Sequence, residues 1–271
     1  MTKAIDEEVR RFVNEYLGGL TADVFDNANK YLSPTGLFNH VMEEAMSAII
    51  KDLLPPNVYR AHLDGLIYVH KLPHSLFVPY CCGHSVKRLL LKGLRTPTIY
   101  SKPARHLGSF VDHVMNYLTS MQQYFSGAQS LNAVELYAAP FIKVDGLDRR
   151  GVKQEVQRLV FNLNFPSRVG MQTPFTNFTL TLDASKELLE EERGVCGGEE
   201  VGLLGDYLEE AKAFVKALSE VFSEGDGRGA PLTFPLLTLM TTSRSLFEDP
   251  ELFEAVFSAA ASKGSFYWLN T

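Results

Sequence analysis

Cysteine is scarce in this chain: three among 271 residues, at Cys81, Cys82 and Cys196. An odd number with two adjacent makes no disulfide framework, so a reducing, cytoplasmic setting is the expectation. Positive charge is short as well. Lys and Arg total 26 against 32 Asp and Glu, a net charge of −6, without the basic footprint of a nucleic-acid binder. No stretch of ~18 residues is apolar and free of charge, so no membrane span is expected. The N-terminus, Met1 to Arg11, is charged and amphipathic and does not read as a signal peptide. What is present is core-forming: 45% hydrophobic and 21% charged residues, enough for one large α/β domain or two smaller ones.

The stretch from Leu66 to His84 concentrates the chemistry. An apolar, β-branched run (66–72) is followed by Pro73 and Pro79, then Tyr80-Cys81-Cys82-Gly83-His84, and a helix is expected to open near Ser85. A buried strand leading to a thiol just ahead of a helix is a setting for redox or radical chemistry. The competing reading is that both cysteines are small buried hydrophobes. His70, His74, Cys81 and His84 carry metal-donor atoms, but their spacing fits no zinc pattern, and no metal is expected.

Apolar spacing predicts helices over 5–18, 36–53 (ended by Pro55-Pro56), 85–94 (capped by Ser85), 106–125, 149–163, 205–223 and 249–262, the last with Asp249 as cap, and a short amphipathic piece over 57–64. On the 106–125 helix, His106 and His113 are too far apart for a metal pair and read as surface or core residues. Strands are expected near 66–72, 133–138, 176–182, 232–240 and 266–269, with Pro235 near the start of its strand or at a bulge. Residues 186–204, acidic and glycine-bearing, read as an exposed excursion. Strands separated by helices imply a parallel sheet. A chain ending inside a strand, on Asn270-Thr271, suggests that something normally follows.

Several segments together resemble the anaerobic (class III) ribonucleoside-triphosphate reductase family of glycyl-radical enzymes, over its N-terminal half. The segments run in family order: Asp26-Asn27-Ala28-Asn29; Pro55-Pro56 through Gly65; Tyr80 to His84; Gly127-Ala128-Gln129-Ser130-Leu131-Asn132 with Tyr137 to Phe141; Asn162 to Arg168; and Gln172 to Asn177. The resemblance implies an α/β fold, a five-stranded parallel half of the family's ten-stranded barrel, with helices between strands. It divides the chain into a helical segment over 1–64 and a half-barrel over 65–271. It implies reduction of ribonucleoside triphosphates at the 2′ carbon. In that reaction a thiyl radical from the second half-barrel takes the 3′ hydrogen, and a cysteine at the position of Cys81 works with formate. His70 corresponds to the histidine of the preceding strand. Asn27, Asn29, Ser167, Arg168, Gln172, Thr176 and Asn177 fall on segments implied to bind substrate. Asn27 and Asn29 also suit plain turn chemistry. Arg168 equally suits a salt bridge closing a turn, and Gln172, Thr176 and Asn177 suit satisfaction of buried backbone groups.

The departures are as informative. No cysteine follows Cys196, so the thiyl position is missing, and the glycyl-radical segment and four-cysteine zinc site of the family are missing too. The family's first strand histidine is Tyr68 here, and its two acidic positions are Lys71 and Pro73. No cofactor is expected on this half. The expected partners are a ribonucleoside triphosphate, a second chain completing the barrel, and a second copy through the 106–125 helix. The expectation is inactivity alone, with catalysis only in combination with a second chain. The alternative is a non-catalytic nucleotide-binding or protein-interaction module. A bare half-barrel would leave two sheet edges and an open apolar face to cover.

Overall fold

The computed structural model describes residues 7–18, 33–168, 171–181, 186–241 and 249–270. Contacts group them into two units. One takes the described residues of 1–81, 122–127 and 166–174; the other takes those of 82–121, 128–165 and 175–271.

The first unit is helical. Helix α1 (7–18) buries Phe12, and α2 (Pro34–Leu53) buries Ile50. The start of α2 is set by Ser33, whose Oγ accepts from the Gly36 amide at 2.9 Å, with Pro34 at the first helical position. Pro55 and Pro56 separate α2 from α3 (Pro56–Leu63), because proline cannot continue a preceding helix but suits the first turn of the next. The apolar run 66–72, expected as a strand, forms none. The amides of Leu66 and Ile67 donate back to the Ala61 carbonyl, Lys71 has φ 52°, and a short 3-10 turn follows at His74–Leu76. These local bonds use the donors a sheet would need, and Leu66 and Tyr68 are each 77% exposed.

The second unit is the α/β domain. Its elements run β1 (Cys82–His84), α4 (Val86–Lys92), β2 (Leu94–Arg95), β3 (Tyr100–Ser101), α5 (Leu107–Met121), β4 (Gln129–Asn132), α6 (Val134–Asp145), α7 (Arg149–Leu163), β5 (Thr176–Leu180), α8 (Lys186–Glu190), β6 (Arg193–Cys196), β7 (Glu199–Leu203), α9 (Leu208–Glu224), β8 (Leu236–Thr241), α10 (Pro250–Lys263) and β9 (Phe266–Asn270). The five-stranded sheet is parallel throughout, in the order β1-β4-β5-β8-β9. Ser85 caps α4 and Asp249 caps α10, as the sequence predicts; the strand expected from 232 begins only at Leu236, directly after Pro235.

Two expectations fail here. The strand expected at 133–138 lies four residues earlier, at β4, and the predicted stretch is the helix α6. Ala133, at φ 56°, turns the chain from strand to helix. Proline inside a helix costs about 3 kcal/mol, which argued against a helix through Pro140. Yet Val134 to Ile142 are all buried, and at roughly 1.5–3 kcal/mol per large apolar side chain that burial outweighs one proline. A helix apolar on all sides belongs at the centre of a core, and α6 packs against α5, α9 and the β6–β7 hairpin. The 186–204 stretch is likewise no exposed excursion: Val195 on β6 and Leu204 just past β7 are in the core at 0% exposure.

Strand alternation sorts the sheet into two faces. Leu131, Phe178, Leu180, Leu237 and Leu239 face the helices and are buried. The expected open apolar face is instead polar at its centre, with Ser130, Asn132, Asn177, Thr179 and Thr238 in adjoining register. Helix α5 buries Leu107, Phe110, Val111, Val114 and Leu118 against its own domain. No helix among the described residues is long and apolar enough to cross a membrane.

Candidate functional site

In the helical unit the segment after α3 folds into a chain of aromatic contacts. His62 meets Tyr68, Tyr68 meets His70, and His70 meets Tyr80 edge-on with ring centroids 4.4 Å apart. The His62 ring nitrogen also accepts the Val69 amide at 3.2 Å. His70 therefore sits on an exposed turn, steadied by two tyrosines.

Cys81 is exposed, against the reading of a buried hydrophobe, while Cys82 is half-buried. Gly127 lies directly on Cys81. Its amide donates to the Tyr80 carbonyl at 2.7 Å, and a Cβ at 127 would sit 2.6 Å from the Cys81 Sγ. Only glycine lets the 122–127 segment run that close. Arg168 joins the same segment: its guanidinium donates to the carbonyls of Ser126 (3.0 Å) and Phe125 (3.4 Å), and burial lowers its pKa. It makes no salt bridge among the described residues. Gln172 pairs with it through the backbone, the Arg168 amide donating to the Gln172 carbonyl at 2.9 Å. Ser167 beside it is exposed, and Asn27 and Asn29 lie outside the described residues.

In the α/β unit the polar sheet face is organised by Asn177. Its Nδ2 donates to the Leu236 carbonyl (3.2 Å) and the Thr238 hydroxyl (3.0 Å), and its Oδ1 accepts from Ser130 (3.1 Å) and Thr179 (3.2 Å). Thr176 points the other way, fully buried on the helix side. Alternation thus separates two neighbours that the sequence grouped together. Ser130, Thr179 and Thr238 were missed, because they come from three strands and meet only in the sheet's register.

On the helix side, His84 stands between Gln129 and Tyr117. The Gln129 amide nitrogen donates to the Ala128 carbonyl at 3.0 Å, which leaves its Oε1 to accept from His84 Nε2 at 2.6 Å. His84 Nδ1 then accepts from the Tyr117 hydroxyl at 2.8 Å. Burial, with Cys82 nearby, raises the Tyr117 pKa. Nothing in the local sequence announced this chain, whose members lie 33 and 45 residues apart. His106 is exposed and pairs with Asp145, and His113 is buried against Ser101, as core and surface histidines. Among the described residues, no three His, Cys, Asp or Glu side chains converge as metal ligands would.

The family is decided by comparison with known proteins. Residues 26–271 match the family model for anaerobic ribonucleoside-triphosphate reductase. This chain belongs to that family. A search of curated proteins gives no match. Among solved structures, an anaerobic ribonucleotide reductase matches with TM-score 0.75 and 25% identity, covering 100% of this chain and 44% of that one. The anaerobic ribonucleotide reductase of Thermotoga maritima in complex with dATP and CTP matches with TM-score 0.71 and 24% identity over 97% of this chain and 47% of that one. The same enzyme with citrate in its active site gives TM-score 0.71, 23% identity and coverages of 97% and 51%. This reductase-family chain thus spans about half the length of those structures. The parallel five-stranded sheet with flanking helices is the corresponding half of their barrel fold.

Proposed function

We propose that this chain forms the first half of an anaerobic ribonucleotide-reducing unit and acts on ribonucleoside triphosphates once a second chain supplies the thiyl and glycyl residues. The carrying observation is Cys81: an exposed thiol on the family's Tyr-Cys-x-Gly segment, held in place by Gly127 and the Tyr80 backbone. Hydrogen-atom transfer demands positioning within about 3–3.5 Å of the substrate carbon, so a thiol on a tightly packed backbone suits reduction better than one on a free loop. In this reading Cys81 is the reductive thiol, and His70 with Tyr80 shapes its approach. Asn177 and its hydroxyl partners offer donors and acceptors for a polar ligand. Ser167, Arg168 and Gln172 hold the turn beside the 122–127 segment. In the family a glycyl radical and formate would supply the radical and the reducing equivalents, with Cys81 as the thiol on this half that works with formate and the radical residues on the second chain.

The test is complementation. The chain is mixed anaerobically with a family polypeptide carrying the second half and the activated glycyl segment, and deoxynucleotide formation is measured. Turnover that disappears in Cys81→Ala supports the proposal. Turnover that survives Cys81→Ala, or no turnover with a partner shown to associate, overturns it. One observation favours the alternative, a nucleotide-binding or interaction module without catalysis: the His70 segment is a turn and not the family's strand. That reading predicts CTP binding by equilibrium dialysis with no product.

A further inference from the structure

Helix α2 carries an apolar stripe that its own unit leaves exposed. Phe38, Met42, Ala45, Ile49 and Leu53 follow one another at steps of three and four, which places them along one side of the helix. All five are exposed, Phe38 to 72%. The opposite side is already used. Ile50 is buried there, the His40 ring meets Tyr16 of α1 with centroids 5.6 Å apart, and Glu43 faces His74 at 3.5 Å. A helix that is apolar on two sides packs on two sides, and among the described residues the stripe has no covering neighbour.

Single apolar side chains on a surface are ordinary, but a continuous row along a 20-residue helix is a contact surface. The row carries no charge. The Glu43 carboxylate, on the same helix, is turned away from it and accepts from the Asn39 amide nitrogen at 3.0 Å. With no charge to match, recognition by this stripe rests on shape.

That shape is self-complementary. The stripe is nearly symmetric about its middle, with Phe38 and Leu53 as the outer pair, Met42 and Ile49 as the inner pair, and Ala45 between them. When two copies of α2 lie antiparallel about a two-fold axis near Ala45, Phe38 of each falls against Leu53 of the other, and Met42 against Ile49. The small residue at the axis lets the helices approach closely, and the large ones fill the space on either side. Burying the stripe on both copies removes on the order of 1,000 Å² from water, the lower bound for a specific interface. A contact of that size forms at high concentration and separates on dilution.

We propose that α2 joins two copies of this chain in an antiparallel, two-fold symmetric pair through Phe38, Met42, Ala45, Ile49 and Leu53. Helix α5, the helix expected to carry a second copy, spends its apolar side on its own domain, whereas α2 has a full apolar row to spare. The pairing uses none of the residues assigned to the proposed reduction, and it stands whether or not that reduction occurs.

Sedimentation velocity of the full chain across a concentration series tests it. The wild-type chain is expected to pass from monomer to dimer. Phe38→Glu and Leu53→Lys are each expected to stay monomeric where wild type is paired, with circular dichroism unchanged because both positions are exposed. The double variant Phe38→Glu/Leu53→Lys is expected to recover the dimer. Its opposite charges face each other across the axis, while within one copy they lie on the order of 20 Å apart along the helix. Val144→Glu, at an exposed apolar position on α6, is the control expected to dimerise as wild type does. If a charged variant loses its helical signal, Phe38→Ser carries the same comparison. The proposal is overturned if wild type stays monomeric throughout, if the dimer survives both single variants, or if the double variant pairs no better than they do. It is also overturned if the chain binds a family polypeptide carrying the second half and Phe38→Glu abolishes that binding, which assigns the stripe to that partner.

Discussion

Gly127 and Cys81 are in direct contact: a methyl group at 127 would sit 2.6 Å from the cysteine sulfur and 2.7 Å from the Tyr80 carbonyl oxygen. Because one obstacle is backbone, Gly127→Ala cannot be relieved by rotating the cysteine alone. Overpacking of this kind costs typically 1–3 kcal/mol. The expected result is a urea midpoint lowered accordingly, with a changed rate of Cys81 alkylation. Cys81→Ala, at an exposed position, is expected to leave the midpoint within about 0.5 kcal/mol. A Gly127→Ala variant as stable as wild type, with unaltered labelling, would refute the contact.

Glu135 is fully buried at the start of α6. Its Oε1 accepts from the Thr181 amide and, at 3.2 Å, from the Thr181 hydroxyl. Burial pushes its pKa up to about 7, against the opposing pull of those bonds. The folded state therefore holds a proton that the unfolded chain has released. The associated stability is complete below the unfolded value near 4.5 and is lost as pH rises through about 7, a change on the order of 3 kcal/mol. Urea unfolding across this window is expected to show stability falling with pH, and Glu135→Gln to remove that slope. An equal slope in the variant would assign it to another group.

Asn164 ties the end of α7 to the approach to β8. Its Oδ1 accepts the amides of Thr233 (3.1 Å) and Phe234 (3.0 Å), while Nδ2 donates to the carbonyls of Phe234 (2.5 Å) and Val160 (2.8 Å). Asn164→Ala leaves these groups without that partner, and a cost of about 2–3 kcal/mol is expected. Asn164→Asp keeps the acceptor but not the donor and is expected to fall between. Thermal unfolding of the three proteins checks the order.

Asn177 holds four partners on the polar sheet face, two as donor and two as acceptor. Asn177→Asp places carboxylate oxygen against the Leu236 carbonyl, where a donor is required. It is expected to destabilise by about 1–3 kcal/mol, more than Asn177→Ala, because a charged acceptor is left facing another acceptor. If this face binds substrate, both variants also weaken CTP binding measured at matched folded fraction.

Much of the secondary structure was legible in the sequence. The 149–163 helix falls where its apolar spacing puts it, and the structure adds Asp148 as its cap. Ser85, Asp249 and Pro235 mark element starts through capping and missing-donor chemistry that acts over three or four residues. The run of matching segments pointed to the reductase family, because each segment keeps its order along the chain. These signals are local or sequential, and a sequence carries them in full.

What the tertiary structure alone decided is everything that depends on a distant partner. The 66–72 run has strand composition but spends its amides on α3, so the first strand is Cys82–His84. Pro140 lies inside a helix because the surrounding core repays its cost. Alternation predicts that Thr176 and Asn177 face opposite ways, yet only packing against the helices says which side each takes. His84, Gln129 and Tyr117 meet because β1, β4 and α5 are brought together by the sheet and its crossovers. Short-range propensity is worth tenths of a kcal/mol per residue, whereas burial and hydrogen bonding across the fold are worth whole ones, and where the two disagree in this protein the long-range terms prevail.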